Sequence, residues 1–230
     1  MKKKTIEPIA YIYTGFSQKF GIPRQSGLIP SLTARIVFES KYNNPDAVKG
    51  LESFSHIWLL WGFSEAEYSG KLTVFPPRLG GKIKKGVFAT RSPYRPNGIG
   101  MSSVKLEKIE ISESNTELIV SGADILDGTP IYDIKPYIAY TDCHADAQGG
   151  YSEPTDLIDI NFPAELLDLI PEELRQSVVD LLAQDPRAAF NKKEDFVYGL
   201  RFDKYDIRFT VKENILTVTD VVKDSAENIK

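Results

Sequence analysis

Residues 102–125, SSVKLEKIEISESNTELIVSGADI, carry the pattern that most restricts the fold. Over SVKLEKIEI, apolar and polar residues alternate almost without a break. That is the period of a strand with one covered face and one wet face. The polar ESNT is turn-like and ELIVSGADI resumes a strand-like run, so the segment predicts a β-hairpin. Four further runs, IAYIYT (9–14), LTARIVF (32–38), HIWLLWGF (56–63) and GVFAT (86–90), are rich in Val, Ile, Thr and aromatic residues. Pro- and Gly-containing segments separate them: FGIPRQSGLIPS, YNNPDAVKG and FPPRLGGKIKKG. Several short strands with little helix predict a small barrel or sandwich. Period alone does not choose between them, because closure needs a matching strand count and stagger.

The grammar changes after residue 140. Acidic residues and turn formers dominate 141–160, which reads as a linker. FPAELLDLI and PEELRQSVVDLLAQDP read as helices. In the second, Pro171 sits at an N1-like position, Glu172 and Glu173 fill the first turn, and Leu174, Val178, Leu181 and Leu182 form the apolar stripe. Asp185 and Pro186 end it. FVYGLRF, YDIRFTV and ILTVTDVV follow as strands. The expected organisation is a mainly β protein: a β-barrel domain over 1–145 and a smaller α+β domain over 146–230.

The whole chain has a net charge of −4, which hides an asymmetry. Residues 1–140 carry 18 Lys and Arg against 13 Asp and Glu, and the remainder carries 10 against 19. No acidic residue lies between Glu67 and Glu107, but Lys71, Arg78, Lys82, Lys84, Lys85, Arg91, Arg95 and Lys105 do. An acid-free basic stretch in an acidic protein points to an anion-facing surface, with a solvated loop as the plainer reading. The longest apolar-rich run, FSHIWLLWGF, is too short to span a membrane, and the MKKKTIEPIA start lacks the apolar centre of a secretory signal. The single Cys143 and two histidines exclude a disulfide framework and the common zinc patterns. No metal is expected, and the cytoplasm is the simplest location.

Four stretches could carry chemistry. In FGIPRQSGL (20–28), Pro23 stiffens the loop and Gly21 and Gly27 permit sharp turns, so Arg24 and Gln25 project as planar donors. In FSHIWLLW (54–61), His56, Trp58 and Leu60 share one face of a strand, where a His and an aromatic could bracket a flat heterocycle. A satisfied structural His is the plainer reading there. In GVFATRSPYRPNGIGMS (86–102), Pro93 and Pro96 stiffen the backbone and Gly98 and Gly100 permit close approach. Arg91 and Arg95 on such a loop suit a carboxylate or phosphate. In GADILDGTPIYDIKPYI (122–138), Asp124, Asp127, Asp133 and Lys135 cluster about a tight Asp127-Gly128 turn. That spacing is not an EF-hand, and Lys135 so near Asp133 suggests an ion pair. The chain has no phosphate loop, no G-x-G-x-x-G after a strand and no G-x-S-x-G elbow.

Together, in this order and spacing, FGIPRQSGL, YNNPDAVKGLESFSHIWLLW, PPRLGG, GVFATRSPYRPNGIGMS and DILDGTPIYDIKPY resemble the TsaA-like (YaeB, or TrmO) family of S-adenosylmethionine-dependent tRNA methyltransferases. The resemblance covers about residues 5–140, and DPR (185–187) with YGLRFDKYDIRFTV (198–211) resembles the bacterial C-terminal extension. It implies a small β-barrel acting as a homodimer, with the cofactor near the subunit interface. The implied reaction is methylation of N6 of threonylcarbamoyladenosine beside the anticodon of threonine tRNA. Carried over by motif, Pro23, Arg24, Gln25, His56, Ile57, Arg91, Met101 and the segment Ile125, Leu126, Asp127 and Gly128 would contact the cofactor.

Methyl transfer from a sulfonium is an in-line displacement, so the protein has mainly to position two partners and handle a proton. Asp124, Asp127 and Asp133 are candidate bases, and Lys135 and Tyr137 could hold the substrate's carboxylate or carbamoyl oxygens. Arg78, Lys82, Lys84, Lys85, Tyr94 and Arg95 would meet tRNA. Two other classes stay open: a non-catalytic RNA- or nucleotide-binding barrel, and a small-molecule hydrolase using the Asp cluster.

Overall fold

The structure, a computed structural model, describes residues 5–112, 115–152, 156–187, 193 and 196–224. Alternation decides its first half. Strands β1 (Ala10–Tyr13), β2 (Thr33–Phe38), β3 (His56–Gly62), β6 (Ile99–Ile111), β7 (Thr116–Ser121) and β8 (Thr129–Pro136) close a barrel in the order β1-β2-β7-β6-β3-β8. Every pairing in it is antiparallel. Ala10, Ile12, Ala34, Ile36, Ile57, Leu59, Trp61, Val104, Leu118, Val120 and Ile131 point inward and fill it. Two-residue strands β4 (Thr73–Val74) and β5 (Lys85–Gly86) form a separate small hairpin.

The C-terminal part pairs β9 (Asp159–Asn161), β10 (Tyr198–Phe202), β11 (Tyr205–Lys212) and β12 (Ile215–Lys223) in the order β10-β11-β12-β9. In chain order the one-turn helix α1 (Ala139–Asp142) comes between β8 and β9. Helices α2 (Ala164–Leu167) and α3 (Glu172–Ala183) then follow β9. Val178, Leu181 and Leu182 of α3 are buried in the core beneath this sheet, with Leu174 packed against it, as the stripe predicts. No helix among the described residues is long and apolar enough to cross a membrane.

Four elements differ from the sequence expectation. GVFAT is not a strand: beyond β5 the chain turns as a 3-10 helix over Val87–Ala89, closed by the Thr90 N–H and hydroxyl on the Val87 carbonyl. TPIYDIKP is a full barrel strand, hidden by two prolines and by a bulge at Tyr132 that interrupts alternation. The 141–160 segment contains the end of α1 and the parallel strand β9. Pro171 is the N-cap of α3, one position before N1.

Gly100 also has a different task from close approach to a ligand. A Cβ there would lie 2.5–2.7 Å from the Trp61 indole. Trp61 fills the inner wall, edge-on to Phe63, and its indole N–H donates to Ser102 Oγ at 3.0 Å. Gly100→Ala is expected to destabilise the fold by about 1–3 kcal/mol through overpacking. Chemical denaturation would show it as a lower midpoint with an unchanged slope.

Candidate active site

The connection between β1 and β2, residues 14–32, is where the two halves of the chain meet. Its apolar residues Phe16, Ile29 and Leu32 are buried in the core of the C-terminal sheet, together with Leu200, Phe209 and Val218. Phe16 lies 5.3 Å from Phe202, ring centre to ring centre. Gly21 adopts φ +92°, and a Cβ on it would come 2.0 Å from Leu200 Cδ1. Ser31 Oγ donates to Asp180 Oδ2 at 2.9 Å, and Ser177 Oγ donates to the Ser31 carbonyl at 2.9 Å. The loop is thus gripped along its length by β10 and α3. Its tip, Arg24 and Gln25, lines a cleft, with Pro23 buried beside them.

Residues 122–128 run against this loop. The Gly27 N–H donates to the Gly122 carbonyl at 2.8 Å, and a Cβ on Gly122 would come 3.2 Å from Gly27 Cα. Two glycines therefore allow two backbones to touch. The N–H groups of Asp127 and Gly128 donate to the carbonyls of Phe16 and Ile12, both at 2.9 Å. Asp127 Oδ1 accepts the Thr14 N–H at 2.8 Å. Asp127 is thereby engaged in capping β1. Ile125 is buried and Leu126 half-buried.

The arginine loop closes from the other side. The Phe63 N–H donates to the Gly98 carbonyl at 2.8 Å, tying the loop to the end of β3. Asn97 and Gly98, at φ 68° and 55°, make the turn that the Asn-Gly pair predicts. Arg95 is half-buried and braces its own loop through Nη1 on the Thr90 carbonyl at 3.0 Å. Arg91 is exposed, and its Nη1 donates to Gln25 Oε1. The two motifs, far apart in sequence, meet in this hydrogen bond.

Asp124 stands at the junction. Its Oδ1 accepts Ser102 Oγ at 2.6 Å, which extends the Trp61–Ser102 contact into a relay. Burial raises its carboxyl pKa above the usual value. The Ser102 hydroxyl, its own backbone N–H, the Arg91 charge and the Ser26 N–H oppose that shift. Ser102 was not singled out from the sequence, where it is one more residue in an alternating strand.

The cleft has a volume of about 1220 Å³. Arg24, Lys71, Arg78 and Arg91 are among its lining, and no Asp or Glu is among the described residues that line it. Phe75, Phe88 and Tyr94 line it too, and Tyr151 enters from the 141–160 segment. Lys84 Nζ lies 5.5 Å from the Phe75 ring centre and Lys85 Nζ 5.8 Å from that of Tyr151. Lys82 is exposed on the same small hairpin loop.

The remaining predicted site residues occupy a second surface. Trp58 and His56 project from β3 onto Tyr137, with ring centres 5.4 and 6.2 Å away. The Trp58 indole N–H donates to Asp142 Oδ2 at 2.8 Å. The Ile138 N–H first, and Trp58 second, hold the Asp142 carboxyl below its usual range. Asp133 and Lys135 form the ion pair their spacing predicts, at 2.9 Å. Met101 is exposed opposite Leu60, and Ile57 is buried inside the barrel. None of these residues lines the Arg91 cleft. His56 and Gly62 sit at opposite ends of β3, roughly 20 Å of strand apart.

Comparison with known proteins agrees with this architecture. Residues 11–143 match the tRNA-methyltransferase O N-terminal domain, and residues 161–224 match the TrmO C-terminal domain. The chain is similar to the tRNA (adenine(37)-N6)-methyltransferase of Escherichia coli K12, at 37% identity over 93% of this chain and 95% of that one. A Pseudomonas aeruginosa protein, provisionally named as an S-adenosylmethionine-dependent methyltransferase, is 41% identical over 94% of this chain and 97% of its own length. A crystal structure of TrmO from P. aeruginosa superimposes with a TM-score of 0.80 at 33% identity, covering 97% of this chain and 98% of that one. With both halves matched and the fold shared along nearly its whole length, the chain belongs to the tRNA-methyltransferase O family.

Proposed function

We propose that this protein transfers a methyl group from S-adenosylmethionine to N6 of threonylcarbamoyladenosine, the adenosine beside the anticodon of threonine tRNA. The observation that carries this reading is a cleft with cationic walls and no acid in its described lining, flanked at its Arg91–Gln25 wall by the half-buried carboxyl of Asp124. The names of the E. coli and P. aeruginosa relatives support the reaction and the methyl donor.

The residues suit the donor. Arg24, Gln25 and Arg91 offer forked donors for a carboxylate and an amide for a heterocycle edge. Asp124 offers the negative charge that a sulfonium and an ammonium call for. S-adenosylmethionine supplies an electrophilic methyl group, so a C–S bond breaks as the N6–C bond forms. The N6 proton must then leave. In threonylcarbamoyladenosine that nitrogen lies between an aromatic ring and a carbonyl, which makes its N–H more acidic than an ordinary exocyclic amine. A carboxylate raised above its usual pKa is a better base than an ordinary one, and Asp124 is assigned that part. Asp127 is committed to Thr14 and Asp133 to Lys135. The substrate's own carboxylate matches the cationic wall.

The second surface supports a homodimer. His56, Met101, Lys135 and Tyr137 do not line the Arg91 cleft of their own chain, so a partner copy is assigned to bring them to it. The cytoplasm is the compartment proposed.

Purified protein given methyl-labelled S-adenosylmethionine is expected to label threonine tRNA that bears threonylcarbamoyladenosine and to leave the unmodified transcript unlabelled. Salt-sensitive tRNA binding without any transfer to verified modified tRNA would instead make this a non-catalytic RNA-binding barrel.

A further inference from the structure

The cleft is larger than one cofactor requires, since small-ligand sites run to roughly 300–1000 Å³. Its outer wall is also unusual. Phe88 is 76% exposed, yet its backbone is fixed on both sides. Val87 is buried and donates its N–H to the Leu72 carbonyl at 3.0 Å. The Ala89 carbonyl accepts Tyr151 Oη at 3.2 Å. Fixed backbone beneath a largely solvated phenyl ring brings the fold little buried area. Tyr94 and Phe75, at 53% and 50% exposed, line the same cleft.

We infer that Phe88, with Tyr94 beside it in the cleft lining, is a stacking platform for an unpaired base of the substrate's anticodon loop, next to the methylation site and distinct from the cofactor wall. The inference rests on the RNA-methyltransferase reading above. Aromatic faces accept any unstacked base, and Lys71 and Arg78 among the lining supply the positive charge that follows the phosphates between bases. Charge complementarity argues for a nucleic acid over an apolar protein segment, because an apolar partner would desolvate this cationic lining without supplying opposite charge. A pre-set ring also holds the loop without ordering a side chain at the moment of binding.

The test uses the full-length protein and an anticodon stem–loop RNA, compared with the same length of perfect duplex. Phe88→Ala is expected to weaken stem–loop binding about 10-fold or more while leaving duplex binding and the salt slope unchanged. Phe88→Trp should restore binding. Lys71→Gln should do the opposite to Phe88→Ala, lowering the salt slope by about one phosphate for both RNAs. In turnover, Phe88→Ala should raise the KM for tRNA and leave the affinity for S-adenosylmethionine intact. Unchanged stem–loop affinity, a loss confined to cofactor affinity, or a loss that only accompanies dissociation of a dimer would each overturn the platform. Failure of the methyltransferase reading shows separately: no methyl transfer, with the Phe88 effect on RNA binding still present.

Discussion

Asp124→Asn is expected to make the protein harder to unfold at neutral pH and nearly inactive. The two effects have one cause. Burial raises the folded-state pKa of Asp124, so the fold prefers its neutral form. The group's contribution to stability is therefore complete below its unfolded-state pKa, about 3.9, and is lost as pH rises through the higher folded value. Once ionised, the buried carboxyl is a cost that Ser102 and Arg91 only partly offset. An amide of the same shape still accepts the Ser102 hydroxyl at that position and carries no charge. Thermal unfolding of the variant should exceed wild type at pH 7, and the gap should close below about pH 4. Methyl transfer should fall by about 10²–10⁴, the usual contribution of a positioned base. Retained turnover would remove Asp124 from the proton-accepting role. A drop in stability would show that the ionised carboxylate holds the Arg91 and Ser26 loops together.

Gly21→Ala is the second large effect. Two penalties act at one atom. The residue sits at φ +92°, where a side chain costs about 1–3 kcal/mol. The new Cβ would also meet Leu200 Cδ1 at 2.0 Å, and Leu200 is fully buried, so its side chain has no open space to enter. Overpacking adds about 1–3 kcal/mol. The loop can relieve both only by lifting off β10, which moves Arg24 and Gln25. Urea unfolding should show a loss of about 3 kcal/mol, and calorimetry a loss of S-adenosylmethionine affinity beyond the reach of detection. Gly27→Ala is the useful comparison. Its φ of +77° carries the same backbone strain, but nothing lies within 4 Å of the added Cβ. It should lose the strain term alone and keep measurable cofactor affinity.

How much of this was legible in the residues varies by element. The hairpin of β6 and β7 reads directly, because half-burial imposes the alternation that both strands display. Strand β8 does not, since Pro130, Pro136 and the Tyr132 bulge each break the local pattern while partners on both sides still pair with it. GVFAT misleads in the opposite way. Its residues favour strands, but after β5 the Val87 carbonyl closes a tight turn. At the site, Arg24, Gln25 and Arg91 could be named from short motifs, and the structure joins them. Ser102 could not, because its partner Asp124 lies 22 residues away and only the barrel brings them together. Nor does spacing reveal that the His56 face and the Arg91 cleft are separate, as proximity between motifs is a property of register.

The grip of the C-terminal sheet on residues 14–32 also sets an order of assembly. The last barrel strand, β8, ends at Pro136, so a growing chain can close the barrel well before β10 to β12 are made. Phe16, Ile29 and Leu32 have no place in that barrel and must wait for Leu200, Phe209 and Val218. The segment bearing Arg24 and Gln25 is thus among the first to leave the ribosome and among the last to take its shape. A nascent chain halted before β10 would carry the barrel without the surface that holds Arg24 and Gln25, so under the proposed cofactor role of these residues methyl transfer is expected only once β10 to β12 have been made.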